Sequence, residues 1–374
     1  MTSIAEVARL AGVSVATASR VVSEADYPVS PATRQRVLAA AEALDYVPNA
    51  LARGLLASRI PVVGVIVHDI TDPYFSEVVR GVEDAAHPGG YLVITCSSER
   101  DPERERSYVR LLRSMRAAAV IFAGSGLDDP ALNEELPKHV AGMEAYGAAV
   151  VHLSPHALGE PDVSVDNAAG IAAMIGALAD LGHRRIAFLA GPRELFVARE
   201  RLAGYRRGLA AAGIDPVGGL VTHGGFDQEA GAAGVDTLLA GDAPFTAIAC
   251  ANDLLALGAL GRLAELGIDV PGEVSVAGFD DIRTAAMTAP ALSTVRLPLR
   301  ELGRRGFEHA AARLGGGPIA PELLPTEVVL RDSTAGPPID SLPTTWAAAM
   351  RTGPTVATAP SPAAALATTQ RGTP

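Results

Sequence analysis

Val15, Ala16 and Arg20 share one face of a short segment, Ser14-Val-Ala-Thr-Ala-Ser-Arg-Val21. Side chains of these types can read base-pair edges. An arginine donates two parallel hydrogen bonds to a guanine, and small apolar groups touch thymine methyls. Their small size also lets a helix backbone sit deep in a major groove. Around them stand Ser3, Ser14, Thr17, Ser19, Ser30 and Thr33. Short hydroxyls of this kind suit phosphate oxygens, as do the open N–H groups at a helix start.

The elements that would hold these residues are marked locally. Ser3 followed by Glu6 is a capping box, and Val7, Ala8, Leu10 and Ala11 follow at helical spacing. Gly12 stands where a helix ends in a left-handed residue, so a second helix can start at once with Ser14 as N-cap. Ser30-Pro31 announces a third helix running to about Tyr46, whose Val37, Leu38, Ala41 and Leu44 face the first two. Two short helices across a glycine turn make a helix-turn-helix. The same pattern also suits a plain three-helix packing unit whose small polar residues only solvate its surface.

The run Ser3-Ile-Ala-Glu-Val-Ala-Arg-Leu-Ala-Gly-Val-Ser-Val-Ala-Thr-Ala-Ser-Arg-Val-Val22, with Val29-Ser30, Thr33-Arg34 and Tyr46-Val-Pro-Asn-Ala-Leu-Ala-Arg53, resembles the DNA-binding head of the LacI/GalR family of bacterial repressors. Ser23 stands where that family commonly has asparagine, and the following loop, 24–28, is acidic. The resemblance implies that Val15, Ala16 and Arg20 read bases. It also implies a hinge helix after Pro48, with Asn49, Ala52, Arg53 and Leu55 in the minor groove and Leu55 as a wedge in the central base step. Apolar wedges unstack a step and kink the duplex at a cost of roughly a few kcal/mol, offset by added contacts. The resemblance implies that this hinge folds only on operator DNA, and Gly54, which costs the short helix roughly 1 kcal/mol against alanine, deepens that dependence.

The chain carries a formal charge of −11, which is unusual for a DNA binder, but the total hides an asymmetry. Residues 1–59 hold six arginines against five carboxylates, leaving −12 for the remainder. An acidic body repels non-specific DNA and leaves attraction to local arginines. There is no apolar run of eighteen residues, and the head motif begins at residue 3 without a signal-peptide pattern. The expectation is a cytoplasmic protein. Cys96 and Cys250, each in an apolar run, read as buried free thiols.

From Pro61 the texture changes. The run 62–67 is β-branched without alternation, as in a strand covered on both faces. Strands near 91–96, 119–123 and 148–153 alternate with helices over 73–86 and 102–115. A helix from 167 to 181 and a strand over 185–190 open a second series. It has strands near 219–223, 246–250 and 274–279, and helices near 197–212, 227–240 and 253–266. The pattern predicts two doubly wound α/β lobes with a cleft between them. It is similar to the type I periplasmic-binding-protein fold that forms the body of the same repressor family. The similarity runs through Leu181-Gly-His-Arg-Arg-Ile186, Ala251-Asn-Asp253, Ser275-Val-Ala-Gly-Phe-Asp-Asp281 and the stretch 323–331. The expected organisation is a head over 1–47, a hinge over 48–60 and an effector and dimerisation domain over 61–334. Its N-lobe takes 61–163 and 295–320, and its C-lobe 164–294 and 321–334. The Pro/Ala/Thr-rich stretch 335–374 is expected to be disordered and lacks coiled-coil heptads.

Ligands of open α/β sheets bind beyond the carboxyl ends of the strands. Those ends supply Asp69, Asp72, Tyr74 and Phe75 after the first strand and Ser125 after the third. In the second series they supply Arg201, Phe226, Asn252 and Asp280. The family resemblance places effector contacts at Tyr74, Phe75, Arg201, Phe226, Asn252 and Asp280. Carboxylate, amide and guanidinium groups suit adjacent hydroxyls, and aromatic faces suit a pyranose. Each also has an ordinary reading: Tyr74 and Phe75 as core, Asp280 as a turn cap, Arg201 in a surface ion pair.

The function read from the sequence is a homodimeric, sugar-responsive repressor of carbohydrate-related genes, acting on near-palindromic operator DNA. One alternative is a periplasmic-type solute-binding protein without a DNA role; another is a regulator with a nucleoside or purine effector. An enzyme would need a nucleophile–base pair, a metal set or a phosphate loop, and none of these motifs is found. No cofactor or metal is expected.

Overall fold

The computed structural model describes residues 2–22, 28–46, 59–127 and 135–338. Asn49, Ala52, Arg53 and Leu55 of the expected hinge lie outside the described residues, as does Ser23. The chain divides into two compact units. The first comprises Met1–Gly170, Arg193–Arg201 and Arg296–Glu327; the second comprises Ile171–Pro192, Leu202–Val295 and Val328–Pro374. The sequence placed the changeovers near 163, 294 and 320 and did not foresee the short exchange at 193–201.

The head is three helices: α1 (Ile4–Ala11), α2 (Val15–Val22) and α3 (Pro31–Ala43). The Ser3 hydroxyl accepts from Glu6 N at 3.3 Å while the Glu6 carboxylate accepts from Ser3 N at 2.7 Å, closing the capping box. Gly12 takes the left-handed conformation at φ 64°, and its N–H reaches back to the carbonyls of Ala8 and Arg9. Ser14 Oγ accepts from Thr17 N at 3.1 Å and Ser30 Oγ from Thr33 N at 3.3 Å. Val7, Ala8, Ala11, Ala18, Val21, Val37, Ala40 and Ala41 form the core. Two expectations change here. Ala40 takes the inward place and Leu38 is 49% exposed. Helix α3 stops at Ala43, because Asp45 adopts a left-handed φ of 46° and the Tyr46 N–H turns back to Ala41 O at 2.9 Å.

After the head come β1 (Ile60–Val67), α4 (Pro73–Ala86), β2 (Leu92–Ser97), α5 (Pro102–Ser114), β3 (Ala117–Phe122), α6 (Leu136–Glu144), β4 (Ala149–His152), β5 (Val163–Val165) and α7 (Asn167–Asp180). There follow β6 (Ile186–Ala190), α8 (Phe196–Ala211), β7 (Val221–His223), α9 (Gln228–Ala240), β8 (Ala247–Cys250), α10 (Asp253–Glu265) and β9 (Ser275–Ala277). The series ends with β10 (Thr294–Arg296), α11 (Leu299–Leu314), β11 (Glu322–Leu324) and β12 (Glu327–Val329). The first unit has a parallel sheet in the order β2-β1-β3-β4, and the second one in the order β7-β6-β8-β9. Cys96 and Cys250 are buried free thiols.

Helices α6 and α11 were not anticipated. Helix α11 lies against α4 through a reciprocal glycine contact: a Cβ on Gly81 would stand 2.0 Å from Arg300 O, and one on Gly303 2.0 Å from Val78 O. The second unit repeats this device. A Cβ on Gly231 would meet Leu255 O at 2.2 Å and one on Gly258 would meet Gln228 O at 2.0 Å, so α9 and α10 cross backbone to backbone.

Residues 335–338, expected to be disordered, are held in place. The Ala335 carbonyl accepts hydrogen bonds from His183 Nε2 at 2.8 Å and Ser275 Oγ at 3.0 Å, and Ala335 N donates to Ser275 Oγ. Pro337 packs beside Gly182. Residues 335–338 therefore belong to the second unit, and 339–374 lie outside the described residues.

Candidate DNA-reading head and effector-recognising groups

In the head, Val15, Ala16 and Arg20 are exposed on α2, while Ala18 and Val21 of the same helix are buried. The helix thus buries one face and presents small residues and a guanidinium on the other. Arg36 fixes the approach of α3, its Nε donating to Ala11 O at 3.3 Å. Ser3, Ser14, Thr17, Ser30 and Thr33 cluster at the starts of the three helices, and Ser19 sits half-buried on α2.

In the first unit the carboxyl ends of β1 and β3 bring together most of the expected groups. Asp72 is the N-cap of α4, its carboxylate accepting from Tyr74 N at 2.9 Å, and burial raises its pKa. The Tyr74 and Phe75 rings meet edge to face at 4.9 Å. Phe75 also meets His68 at 5.6 Å, and it is buried. His68 Nε2 donates to Ser125 O at 2.8 Å; the carbonyl can only accept, so Nδ1 is left as an acceptor, and it has no hydrogen-bond partner among the described residues. Ser125 Oγ lies 3.3 Å from the carbonyls of Gly126 and Pro155 and accepts from Val197 N at 3.1 Å. Its single proton is therefore engaged within the protein.

Arg201 departs from its expected place. It lies on the second turn of α8 and groups with the first unit, where its Nε donates to Asn167 Oδ1 at 3.0 Å. Asn167 Nδ2 in turn donates to Glu200 Oε2 at 2.9 Å, and burial raises the Glu200 pKa. Asn167, Glu200 and His68 were missed by the sequence reading. His68 follows β1 directly, so the strand-end rule applied one residue earlier would have found it.

In the second unit Asn252 caps α10, its Oδ1 accepting from Leu255 N at 2.9 Å, and its Nδ2 donates to Phe226 O at 3.0 Å. One amide N–H remains. The Phe226 ring covers Gly191, where a Cβ would stand 2.2 Å from it. Asp280 is buried with a φ of 122°, a conformation that favours glycine, and its N–H donates to Val295 O at 2.9 Å. Beside it, Asp253 accepts from Thr294 Oγ1 at 2.6 Å and Ile282 N at 2.9 Å, and burial pushes its carboxyl up to about 7. Asp281 pairs with Arg331 at 2.7 Å. Among the described residues no group of histidine, cysteine and carboxylate side chains is placed to hold a metal ion, and no helix is long and apolar enough to cross a membrane.

A three-helix head with an exposed face of small residues on its second helix, followed by two parallel α/β units, defines a helix-turn-helix transcriptional regulator with a periplasmic-binding-protein-like body. Comparison with known proteins agrees. Residues 3–49 match the description "Bacterial regulatory proteins, lacI family", and 175–334 match "Periplasmic binding protein-like domain". The chain is 35% identical over 345 residues to the HTH-type transcriptional regulator GalR of Escherichia coli strain K12, covering 91% of this chain and 98% of that protein. It is similar to the lac repressor dimer bound to operator and the anti-inducer ONPF, at 27% identity and a TM-score of 0.76, over 89% of this chain and 99% of that one. The transcriptional regulator CelR in its cellobiose complex matches at 31% identity and a TM-score of 0.64, over 89% of this chain and 100% of that one. The protein belongs to the lacI family of bacterial regulatory proteins.

Proposed function

We propose that the protein is a cytoplasmic, homodimeric repressor without enzymatic activity, whose grip on a near-palindromic operator is set by a sugar. The observation that carries this reading is the exposed face of Val15, Ala16 and Arg20 on a helix whose other face is locked into the head core. Val15 and Ala16 touch thymine methyls and Arg20 forks onto a guanine, while the hydroxyls at the helix starts hold phosphates. Asn49, Ala52, Arg53 and Leu55 act as the minor-groove hinge. Effector recognition falls to Asp72, Tyr74, Phe75, Ser125 and Arg201 in the first unit and to Phe226, Asn252 and Asp280 in the second. Similarity to a cellobiose-bound regulator supports a saccharide as the effector.

Selection of duplexes from a random pool, followed by gel retardation, tests the reading. Arg20→Ala is expected to cost about 1–3 kcal/mol per lost bidentate contact and to relax one guanine per half-site. Equal losses on selected and random duplexes would overturn the assignment of Arg20.

A further inference from the structure

We propose that Arg59, Arg113 and Arg116 form a second, sequence-independent DNA contact on the body of the protein, directed at operator phosphates beside the hinge. The proposal rests on the DNA-binding reading above. The three arginines belong to one rim: Arg59 leads into β1, Arg116 leads into β3, and Arg113 stands on the last turn of α5. Ile60 pairs with Ala117 across these strands, and Ile60 N donates to Arg116 O at 2.9 Å, so Arg59 and Arg116 stand on neighbouring chain starts. The Arg59 guanidinium donates to Gly147 O. The Arg116 guanidinium lies 5.3 Å from the centre of the Tyr146 ring. Arg113 packs over Gly142 one turn earlier on α6, where a Cβ would come within 2.4 Å of its Cζ.

Charge and chain length select the partner. Residues 59–374 carry a net −11, yet this rim gathers three cations around one turn, with Glu144 as the acid closest to that turn in sequence. Among the described residues none of the three arginines is in a salt bridge, while arginines elsewhere on the body commonly pair with carboxylates. Arg113 and Arg116 are exposed and Arg59 is half-buried. Arg59 lies four residues after Leu55, so its Cα stays within about 14 Å of that wedge in any backbone conformation. A polyanion entered at Leu55 therefore lies beside this rim. An acidic rim there would oppose binding, and a guanidinium rim releases counterions from the duplex.

The test is the salt dependence of binding by the full-length protein to the duplex it selects, between 50 and 200 mM KCl. Wild type is compared with Arg113→Gln, Arg116→Gln and Arg113→Lys. One phosphate contact per subunit removes two contacts per dimer, so each glutamine variant should lower the log–log slope by about 1.8. Over a fourfold rise in salt the wild type should then lose about 12-fold more affinity than the variant. Arg113→Lys keeps the charge and should keep the slope. Unchanged slopes in both glutamine variants would overturn the proposal, as would equal affinity loss in Arg113→Gln and Arg113→Lys. A wild-type protein that selects no duplex would overturn the DNA-binding reading itself and this contact with it.

Discussion

Lowering the pH from 7.5 to 5.0 should withdraw stability from the first unit through two buried histidines. Burial pushes His68 and His152 down to about 3, from an ordinary value of 6.5. The positive charge of Arg100 and the His156 ring act on His68 in the same direction; for His152 the His156 ring and Arg313 do so. Asp162 lies 3.7 Å from His152 Nδ1 but does not reverse this, because its carboxylate is already engaged by His152 N and Arg313. The unfolded chain takes up a proton near 6.5 that the folded chain refuses until about 3. The contribution is therefore complete above 6.5 and is withdrawn as pH falls toward 3. At pH 5 the difference is about 2 kcal/mol for each histidine, roughly 4 for the pair, out of a typical total of about 5–15. Asp72, Glu200 and Asp253 oppose this, since raised carboxyl pKa values add stability as pH falls. The assay is accordingly a difference: urea unfolding at pH 7.5 and 5.0 for wild type, His68→Gln and His152→Leu. Glutamine can keep the bond to Ser125 O, and leucine replaces a ring whose Nε2 has no hydrogen-bond partner among the described residues. Each variant should lose about 2 kcal/mol less than wild type on acidification. The same loss in all three proteins would refute the reasoning.

In the second unit, Gly258→Ala should destabilise by about 1–3 kcal/mol through overpacking, since its Cβ would overlap Gln228 O. Gly261→Ala on the same helix, with open space around it, should be neutral or stabilising. Thermal melting of the two variants decides between crossing geometry and general helix propensity. Deleting 339–374 should leave dimerisation and operator affinity unchanged, whereas deletion from 335 should lower the melting temperature by uncovering the His183–Ser275 pair. Equal melting temperatures for both truncations would contradict the anchor. Asp280→Asn should weaken sugar binding while effector-free operator affinity stays near wild type. Leu55→Ala should lower operator affinity and leave sugar affinity of the free protein intact, within a coupling of about 1–3 kcal/mol. Calorimetry on the free protein and operator titrations separate the two, and exchanged phenotypes would dismiss this division of labour.

The sequence by itself determined what is encoded within a few residues. Ser3 with Glu6, Gly12, and Ser30 with Pro31 each act over a single turn, so the three head helices and the exposed face of α2 were legible without the tertiary structure. The same holds for α4, opened by Asp72 and Pro73, and for β1, whose unbroken apolar run marks a strand covered on both faces. Helix α11 was not legible because part of its inward stripe is glycine, at Gly303 and Gly306, which carries no apolar signal. That choice makes sense only once the backbone of α4 lies 2.0 Å from where a Cβ would stand. The exchange of Ala40 for Leu38 in the head core follows from how α3 rotates against α1 and α2, and periodicity fixes that rotation only to within a residue. Arg201 was assigned to the second unit by its neighbours in sequence, and Asn167, 34 residues away, holds it in the first. Residues 335–338 look like the rest of a Pro/Ala/Thr tail, yet His183 captures Ala335 across 152 positions. Local signals depend on neighbours in the chain and survive in the sequence. Partners brought together by loop closure have no local mark, so only the folded structure decides them.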